Sequence, residues 1–293
     1  MHSFHSLSWR VFVGLLDQRT IAIAGGSLGI GFAIAKRCVK EGAQVILGAR
    51  TLPDLEKAVA ELNGIAGKHH HFVVDVSQID QVEKFAAFCK ALGVSGLVNS
   101  AGLLGPIGKT SQLNLAQFAQ TVQVNFLGTV NTCVAFTKVM TETLRKKIVN
   151  LSGGGAVAPF LNFSAYASSK AAVVRFSENF AKEHAEELDV NCIAPGFIKT
   201  RLHEETLKSG PDAAGKQFYE RTVKEIESGG TSIDLTTELA VFLLSDLSNG
   251  ISGKLISAPF DAWKSPEFQE RLRGDADLAA LRRIDDRQYS KKL

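Results

Sequence analysis

The chain has 293 residues, of which 45% are hydrophobic, and its formal net charge is only +3. This length and composition are enough for a large α/β core, whereas the small, scattered charge argues against a nucleic-acid partner. The four cysteines lie far apart and form no CxxC motif, so we expect neither a disulfide nor a metal site. No apolar run is long enough to span a membrane, and we predict a cytoplasmic protein without a membrane partner.

The predicted elements begin after a leader. Residues 1–15 read as a flexible N-terminal leader, because the apolar patch before about Val13 is broken by Arg10 and lacks a small-residue cleavage site. The following short runs, rich in Val and Ile, alternate with longer segments of helical period. The predicted strands are Thr20–Ala24, Gln44–Leu47, His71–Val74, Gly96–Val98, Lys147–Leu151, Val190–Ile193 and Lys254–Ala258. The predicted helices are Ile30–Glu41, Leu52–Leu62, Ile79–Leu92, Leu115–Leu144 and Tyr166–Glu187.

Alternating strands and helices of these lengths predict βαβ units, and therefore a Rossmann-like, doubly wound parallel sheet in a three-layer α/β/α sandwich. No linker rich in Pro, Gly or Ser divides the chain before residue 258, so we expect a single catalytic domain over 16–258. Residues 259–293 then form a C-terminal extension, packed over the core or onto a partner subunit.

A glycine-rich turn joins the first strand to the first helix and has the spacing G-x-x-x-G-x-G. Glycines allow the backbone to approach a pyrophosphate, and the helix N-terminus supplies N–H donors. The predicted cofactor-binding residues of this turn are Gly25, Ser27, Leu28, Gly29, Ile30 and Gly31.

Further cofactor contacts are predicted where the next strands end. The second strand ends at Arg50 without an acidic residue, which favours the 2′-phosphate of NADP, with NAD as the alternative. Asp75 and Val76 follow the third strand, where they could bind the adenine. Asn99, Ala101 and Gly102 follow the fourth strand, where small residues let the cofactor cross the sheet edge.

Tyr166 and Lys170 lie four residues apart in a predicted helix, so their side chains share one face. A nearby ammonium stabilises an ionised phenol and lowers its pKa toward the range of a general acid/base. Taken alone, this spacing also occurs by chance on exposed helices.

Together these motifs resemble the short-chain dehydrogenase/reductase family, over residues from about Leu16 to Ala258. The resemblance implies that Tyr166 transfers the substrate proton and that Lys170 lowers its pKa and holds the nicotinamide ribose. It also implies that Asn125 fixes a water in a proton relay. The residues that would seat the nicotinamide carboxamide are Pro195, Gly196, Ile198 and Thr200.

One position departs from the family pattern. The catalytic Ser of the family lies thirteen residues before the Tyr, and Gly153 occupies that position here. Ser152 is one residue early, and neighbouring strand residues point to opposite faces. We predict that a bulge turns Ser152 into the site; the alternative donors are Ser164 and the substrate itself.

The predicted function is therefore an NADP-dependent oxidoreductase that interconverts a secondary alcohol and a ketone. Its partners are a small-molecule carbonyl or alcohol substrate and further copies of the chain, in a homodimer or homotetramer as in the family. The C-terminal extension is similar to that of bacterial members in sugar or polysaccharide pathways. The alternative is a non-catalytic NAD(P)-binding, redox-sensing regulator on the same fold. Epimerase or dehydratase chemistry is disfavoured, since the glycine turn has a different spacing.

Overall fold

Seven strands form one parallel sheet in the computed structural model, which describes residues 14–284 except for the side chain of Arg201. The first thirteen residues of the predicted leader and the last nine of the predicted C-terminal extension therefore lie outside the described residues. The strand order is β3-β2-β1-β4-β5-β6-β7, and every pairing is parallel. The strands are β1 Thr20–Ala24, β2 Gln44–Ala49, β3 His70–Val73, β4 Gly96–Asn99, β5 Lys146–Leu151, β6 Leu188–Ala194 and β7 Lys254–Ser257.

Ten α-helices connect or follow these strands within the part of the chain that the structure describes. Across residues 14–284, no helix combines the length and the apolar composition needed to cross a membrane. The helices are α1 Gly29–Lys40, α2 Leu52–Ile65, α3 Ile79–Lys90, α4 Leu115–Val122, α5 Gly128–Thr137, α6 Ser164–Glu183, α7 Arg201–Ala214, α8 Lys216–Glu227, α9 Ile233–Leu244 and α10 Pro266–Gly274.

The alternation of side chains along each strand creates two separate cores. In β1, Ile21 and Ile23 belong to the core beneath α1, α2 and α9, whereas Ala22 and Ala24 belong to the core beneath α3, α5 and α6. Because successive strand residues point to opposite faces, a strand covered on both sides must be apolar throughout. The predicted doubly wound, three-layer α/β/α fold is confirmed. Its strand order reverses between β1 and β4, where ligands bind in such sheets.

The long helix predicted over Leu115–Leu144 is interrupted and shorter. A π-helical turn, Gln123–Leu127, separates α4 from α5, and the helix ends at Thr137. Thr141 N–H then donates to the carbonyl of Val94 at 2.8 Å, which draws the chain toward the sheet. Asn125 lies in this π-turn, and such turns occur frequently at functional sites.

The C-terminal segment covers the outer edge of β7. The N–H of Leu255 donates to the carbonyl of Ala279 at 2.7 Å, and Lys254 Nζ donates to the carbonyls of Asp275 and Leu278. Glu178 of α6 accepts the N–H of Leu281 at 2.6 Å. The described part of the extension therefore packs onto its own chain and satisfies part of an otherwise open sheet edge.

Candidate functional site

The glycine-rich turn after β1 brings the backbone of two loops into close contact. A Cβ at Gly25 would lie 2.4 Å from the N of Ala101, and one at Gly31 would lie 2.2 Å from the carbonyl oxygen of Gly25. Gly29 has a φ of +57° and open space around its missing Cβ. A side chain is thus excluded at two of these positions by contact, while the third faces open space that a ligand could fill.

No side chain within residues 14–284 caps the backbone N–H groups at the start of α1. Its capping residue Leu28 makes no side-chain cap, and no acidic residue lies in the first turn. Ser27 and Ile30 flank this end and are half-buried. The end therefore keeps N–H groups and a favourable dipole that could hold a phosphate.

Arg50 and Asp75 lie after β2 and β3. The Arg50 side chain is exposed and makes no ion pair with any residue in the described part of the chain. Asp75 accepts the N–H and the hydroxyl of Ser77 through one carboxylate oxygen, at 2.9 and 2.7 Å. Val76 is buried and packs against Gly128. The Arg50 guanidinium and the second carboxylate oxygen of Asp75 are thus the groups with capacity for a ligand.

Asn99 uses its side chain inside the protein. Its Nδ2 donates to Asn150 Oδ1 at 2.9 Å, and its Oδ1 accepts the hydroxyl of Thr132 at 2.7 Å. Asn150 Nδ2 in turn donates to Ser177 Oγ at 2.8 Å. This buried network ties β4 and β5 to α5 and α6, so any contact of Asn99 with a cofactor would come from its backbone.

Asn125 and Lys170 flank Gly102. A Cβ at Gly102 would lie 3.4 Å from Asn125 Oδ1 and 3.7 Å from Lys170 Nζ. Asn125, in the π-turn, is fully buried; its Oδ1 accepts the N–H of Leu103, and its Nδ2 donates to Ser169 Oγ at 3.0 Å. The structure therefore brings together three of the residues predicted from separate motifs.

The hydroxyl of Tyr166 lies where a side chain of residue 153 would stand. A Cβ at Gly153 would be 2.1 Å from Tyr166 Oη and 2.9 Å from its Cζ. Ser152 Oγ is buried and is the one such side-chain oxygen or nitrogen without a hydrogen-bond partner in the described part of the chain. Ser164, the alternative donor, already pairs its hydroxyl with that of Thr110 at 2.6 Å. Ser152 therefore carries a buried, unused hydroxyl one residue before Gly153, and its turn into the site by a bulge stays a prediction.

Burial dominates the ionisation of the pair. It raises the pKa of Tyr166 to about 12, and it lowers the pKa of Lys170 to about 8. The Lys170 ammonium donates to the carbonyl of Leu151 at 2.8 Å and lies 5.8 Å from the centre of the Tyr166 ring. The pKa of the phenol in this structure thus moves in the direction opposite to the predicted lowering, because removal of water from the phenol outweighs the distant ammonium.

Helices α7 and α8 cover Tyr166, which is 8% exposed. Leu202, Ala214 and Phe218 of these helices pack with Tyr166 and with Phe163 from the start of α6. We call α7 and α8 together the cover. The cover and the start of α6 thus shield most of the Tyr166 side chain from solvent.

The predicted nicotinamide-binding turn follows β6. Gly196 has a φ of +78°, and a Cβ there would lie 2.8 Å from Thr231 Oγ1. Thr231 also exchanges hydrogen bonds with the backbone of Phe197, at 2.7 and 3.2 Å. Pro195 and Ile198 are buried, and Thr200 is the N-cap residue that precedes α7. The turn therefore connects the sheet directly to the cover.

Two contributions to the site have weak signals in the sequence. Ser169 holds Asn125 and donates its own hydroxyl to the carbonyl of Tyr166 at 2.7 Å; its place between Tyr166 and Lys170 is the available signal. Phe218 is 52 positions beyond Tyr166 and carries no motif, so its contact with the site follows from the fold alone.

Comparisons with known proteins identify the family of the chain. The sequence pattern of the family described as short chain dehydrogenase matches residues 19–210. An uncharacterized oxidoreductase of Mycobacterium bovis is 32% identical over 83% of this chain and 96% of its own. A 3-oxoacyl-[acyl-carrier-protein] reductase of Chlamydia trachomatis is 30% identical over 83% and 97%. The crystal structure of levodione reductase is 26% identical, with a TM-score of 0.76 over 85% of this chain and 98% of that one. The chain belongs to the short-chain dehydrogenase family of oxidoreductases.

Proposed function

We propose that the protein is an NADP-dependent oxidoreductase that interconverts a ketone and a secondary alcohol. The observation that carries this proposal is the convergence of Tyr166, Lys170 and Asn125 beside the end of β5 and around Gly102. A phenol, an ammonium and a buried amide in one place can move a proton to a carbonyl oxygen.

The residues present fit a dinucleotide. Gly25 and Gly31 keep the turn close to the sheet, and the uncapped end of α1 offers N–H groups to phosphate. Arg50 would pair with a 2′-phosphate, which supports NADP over NAD. Asp75, Val76, Gly102 and the Pro195–Thr200 turn would hold the adenine and nicotinamide ends. When bound, the nicotinamide ring supplies or accepts the hydride.

In this proposal, residues of the chain itself transfer the proton to and from the substrate. Tyr166 Oη donates its proton when a ketone is reduced and takes it back when an alcohol is oxidised. Lys170 places its ammonium 5.8 Å from the centre of the Tyr166 ring, and its lowered pKa of about 8 lets it exchange a proton near neutral pH. Asn125 positions the loop at Leu103 and is the proposed anchor of a water between Lys170 and solvent.

Polarisation of the substrate carbonyl is assigned to Ser152 in this proposal. Support comes from its buried, unpartnered hydroxyl, which costs free energy unless a ligand accepts or donates a hydrogen bond. Gly153 leaves the space next to Tyr166 Oη without a competing hydroxyl.

The experiment that tests the proposal compares wild type with Tyr166→Phe. We expect turnover of ketones with NADPH to fall by about 100- to 10,000-fold, the range for loss of a general acid. Binding of NADPH, measured by its fluorescence, should change little. Full turnover by Tyr166→Phe would contradict the assigned role.

The second candidate is a non-catalytic, redox-sensing NAD(P)-binding regulator. One observation favours it: glycine replaces the family's serine, and the phenol is enclosed with its pKa raised. Tight NADPH binding by the wild type without hydride transfer to any of a broad set of ketones would support this candidate.

We further propose a cytoplasmic homodimer or homotetramer that associates through the α4–α5 and α6 helices. Size measurement by sedimentation tests the assembly. A sugar or polyol substrate, suggested by the C-terminal extension in the sequence, belongs in the substrate panel.

A further inference from the structure

Three phenylalanines hold the cover against the loop that precedes α6. Phe160 and Phe163 stack with ring centres 4.4 Å apart, and Phe218 of α8 meets them edge-on at 4.7 and 5.1 Å. We call these residues the aromatic clamp. They lie in one apolar cluster with Tyr166, so the side chains packed with Tyr166 in this cluster are hydrocarbon and aromatic.

The clamp is only partly closed to water. Phe163 is fully buried, whereas Phe160 and Phe218 are half-buried and keep part of their rings open. Leu104, Ile107 and Leu202 complete the surface around them. An apolar ligand placed here would remove further hydrocarbon surface from water.

The exposed charged side chains of α8 lie away from this surface. Lys216, Glu220, Arg221 and Lys224 of α8 are exposed, while Phe218 and Tyr219 on the other face join the cluster. Lys109, Asn162 and Ser164 line an open cleft that Phe160 also borders, whereas between the packed rings the polar side-chain atoms of the cluster are the phenol oxygens of Tyr166 and Tyr219. A carboxylate, phosphate or array of hydroxyls bound here would lose water without gaining partners.

We propose that the substrate is an uncharged, apolar ketone or secondary alcohol whose ring or alkyl body binds against Phe160, Phe163 and Phe218. This inference rests on the proposed function, since it concerns where the rest of the substrate binds when its carbonyl lies at Tyr166. Binding opens the cover and replaces contacts within the clamp by contacts with substrate. It disfavours sugars, polyols and acidic ketones.

The test uses the full-length protein with NADPH and three cyclohexanones that carry a methyl, hydroxyl or carboxylate group opposite the carbonyl. The reacting centre is the same in all three, so differences in kcat/KM report the environment of the ring body. We expect the methyl compound to exceed the hydroxyl compound by at least about tenfold, equivalent to 1.4 kcal/mol. The carboxylate should be poorer still.

Variants of Phe218 test whether the aromatic clamp causes the preference for the methyl compound. Phe218→Ala should raise KM for the methyl compound by about tenfold or more, whereas Phe218→Leu should restore part of the loss. Phe260→Ala is the matched control, because Phe260 is 85% exposed outside the cluster. An equal KM in wild type and Phe218→Ala would overturn the proposal.

A binding measurement separates this proposal from the proposed function. The matching alcohols are titrated calorimetrically into the NADP complex of wild type and Phe218→Ala. If the methyl alcohol binds the wild type, binds Phe218→Ala more weakly and is not turned over, the proposed substrate class is supported and the proposed reaction is rejected. If turnover is fastest with the carboxylate compound, the proposed reaction is supported and the proposed substrate class is overturned. Absence of binding by the methyl alcohol also overturns the class.

Discussion

Gly153 provides the sharpest test of how the site is built. The family resemblance suggests that Gly153→Ser would improve catalysis by restoring the expected hydroxyl. The geometry predicts the opposite, because a Cβ at this position would lie 2.1 Å from Tyr166 Oη, where ordinary contacts begin at 3.4 Å. Either the phenol or the β5–α6 loop must move by roughly 1 Å, and a misplacement of about 1 Å at a reacting group can cost about 100-fold in rate.

We therefore expect Gly153→Ala and Gly153→Ser to lower kcat about 100-fold, or about 2.7 kcal/mol in activation free energy. NADPH oxidation is followed with a ketone that the wild type reduces, and NADPH affinity is measured by fluorescence. Affinity should change little, since the clash lies at the phenol. Gly154→Ala is the control: its Cβ would lie 3.4 Å from Phe160 Cε1, so kcat should change by less than about threefold.

A Gly153→Ala enzyme with the wild-type kcat would refute this reasoning. A Gly153→Ser enzyme faster than the wild type would show that the phenol has another productive position. Circular dichroism and thermal unfolding of each variant separate a local displacement from loss of the fold.

Three further predictions concern single side chains. Arg50→Ala should weaken NADP binding by about tenfold and leave NAD binding unchanged; equal affinity of the wild type for both cofactors would contradict the NADP assignment. His69 accepts the N–H of Val45, and burial lowers the pKa of its imidazole. Below about pH 6.5 the unfolded state therefore binds more protons than the folded state. The free energy of unfolding should fall as the pH drops below that value. Urea titrations should find this decrease reduced in His69→Gln; an unchanged decrease would argue against His69 as its source. Glu178→Gln should lower the free energy of unfolding by about 1–3 kcal/mol, because Glu178 binds the N–H of Leu281 and the guanidinium of Arg282, while the exposed control Glu183→Gln should not.

The sheet could be predicted from sequence because most of its strands are short, rich in Val, Ile or Leu, and buried on both faces. The predicted strand bounds differ from those in the structure by at most two residues at either end. Helix α9 was harder to predict, since Leu239–Leu244 is a continuous apolar run with no polar face. Periodicity identifies a helix by its contrast between faces, and this contrast disappears when both sides are buried.

Only those parts of the site that depend on short-range sequence spacing and motif order could be predicted. Tyr166 and Lys170 share a helix, and Asn125 falls in its expected order, so their meeting follows from the fold. The enclosure of the phenol depends on Phe218, whose position is set by two helices that carry no motif. The direction of the Tyr166 pKa shift follows from that enclosure, so the sequence pattern alone gave the opposite sign.

The segment that runs beside β7 gives the two ends of the sheet different properties. A sheet grows by adding a strand whose backbone pairs with unpaired N–H and C=O groups at its border. At the β7 border the chain has used some of these groups itself, through Leu255 and Ala279. Shortening the chain before Ala279 would leave the N–H of Leu255 free to pair with an added strand.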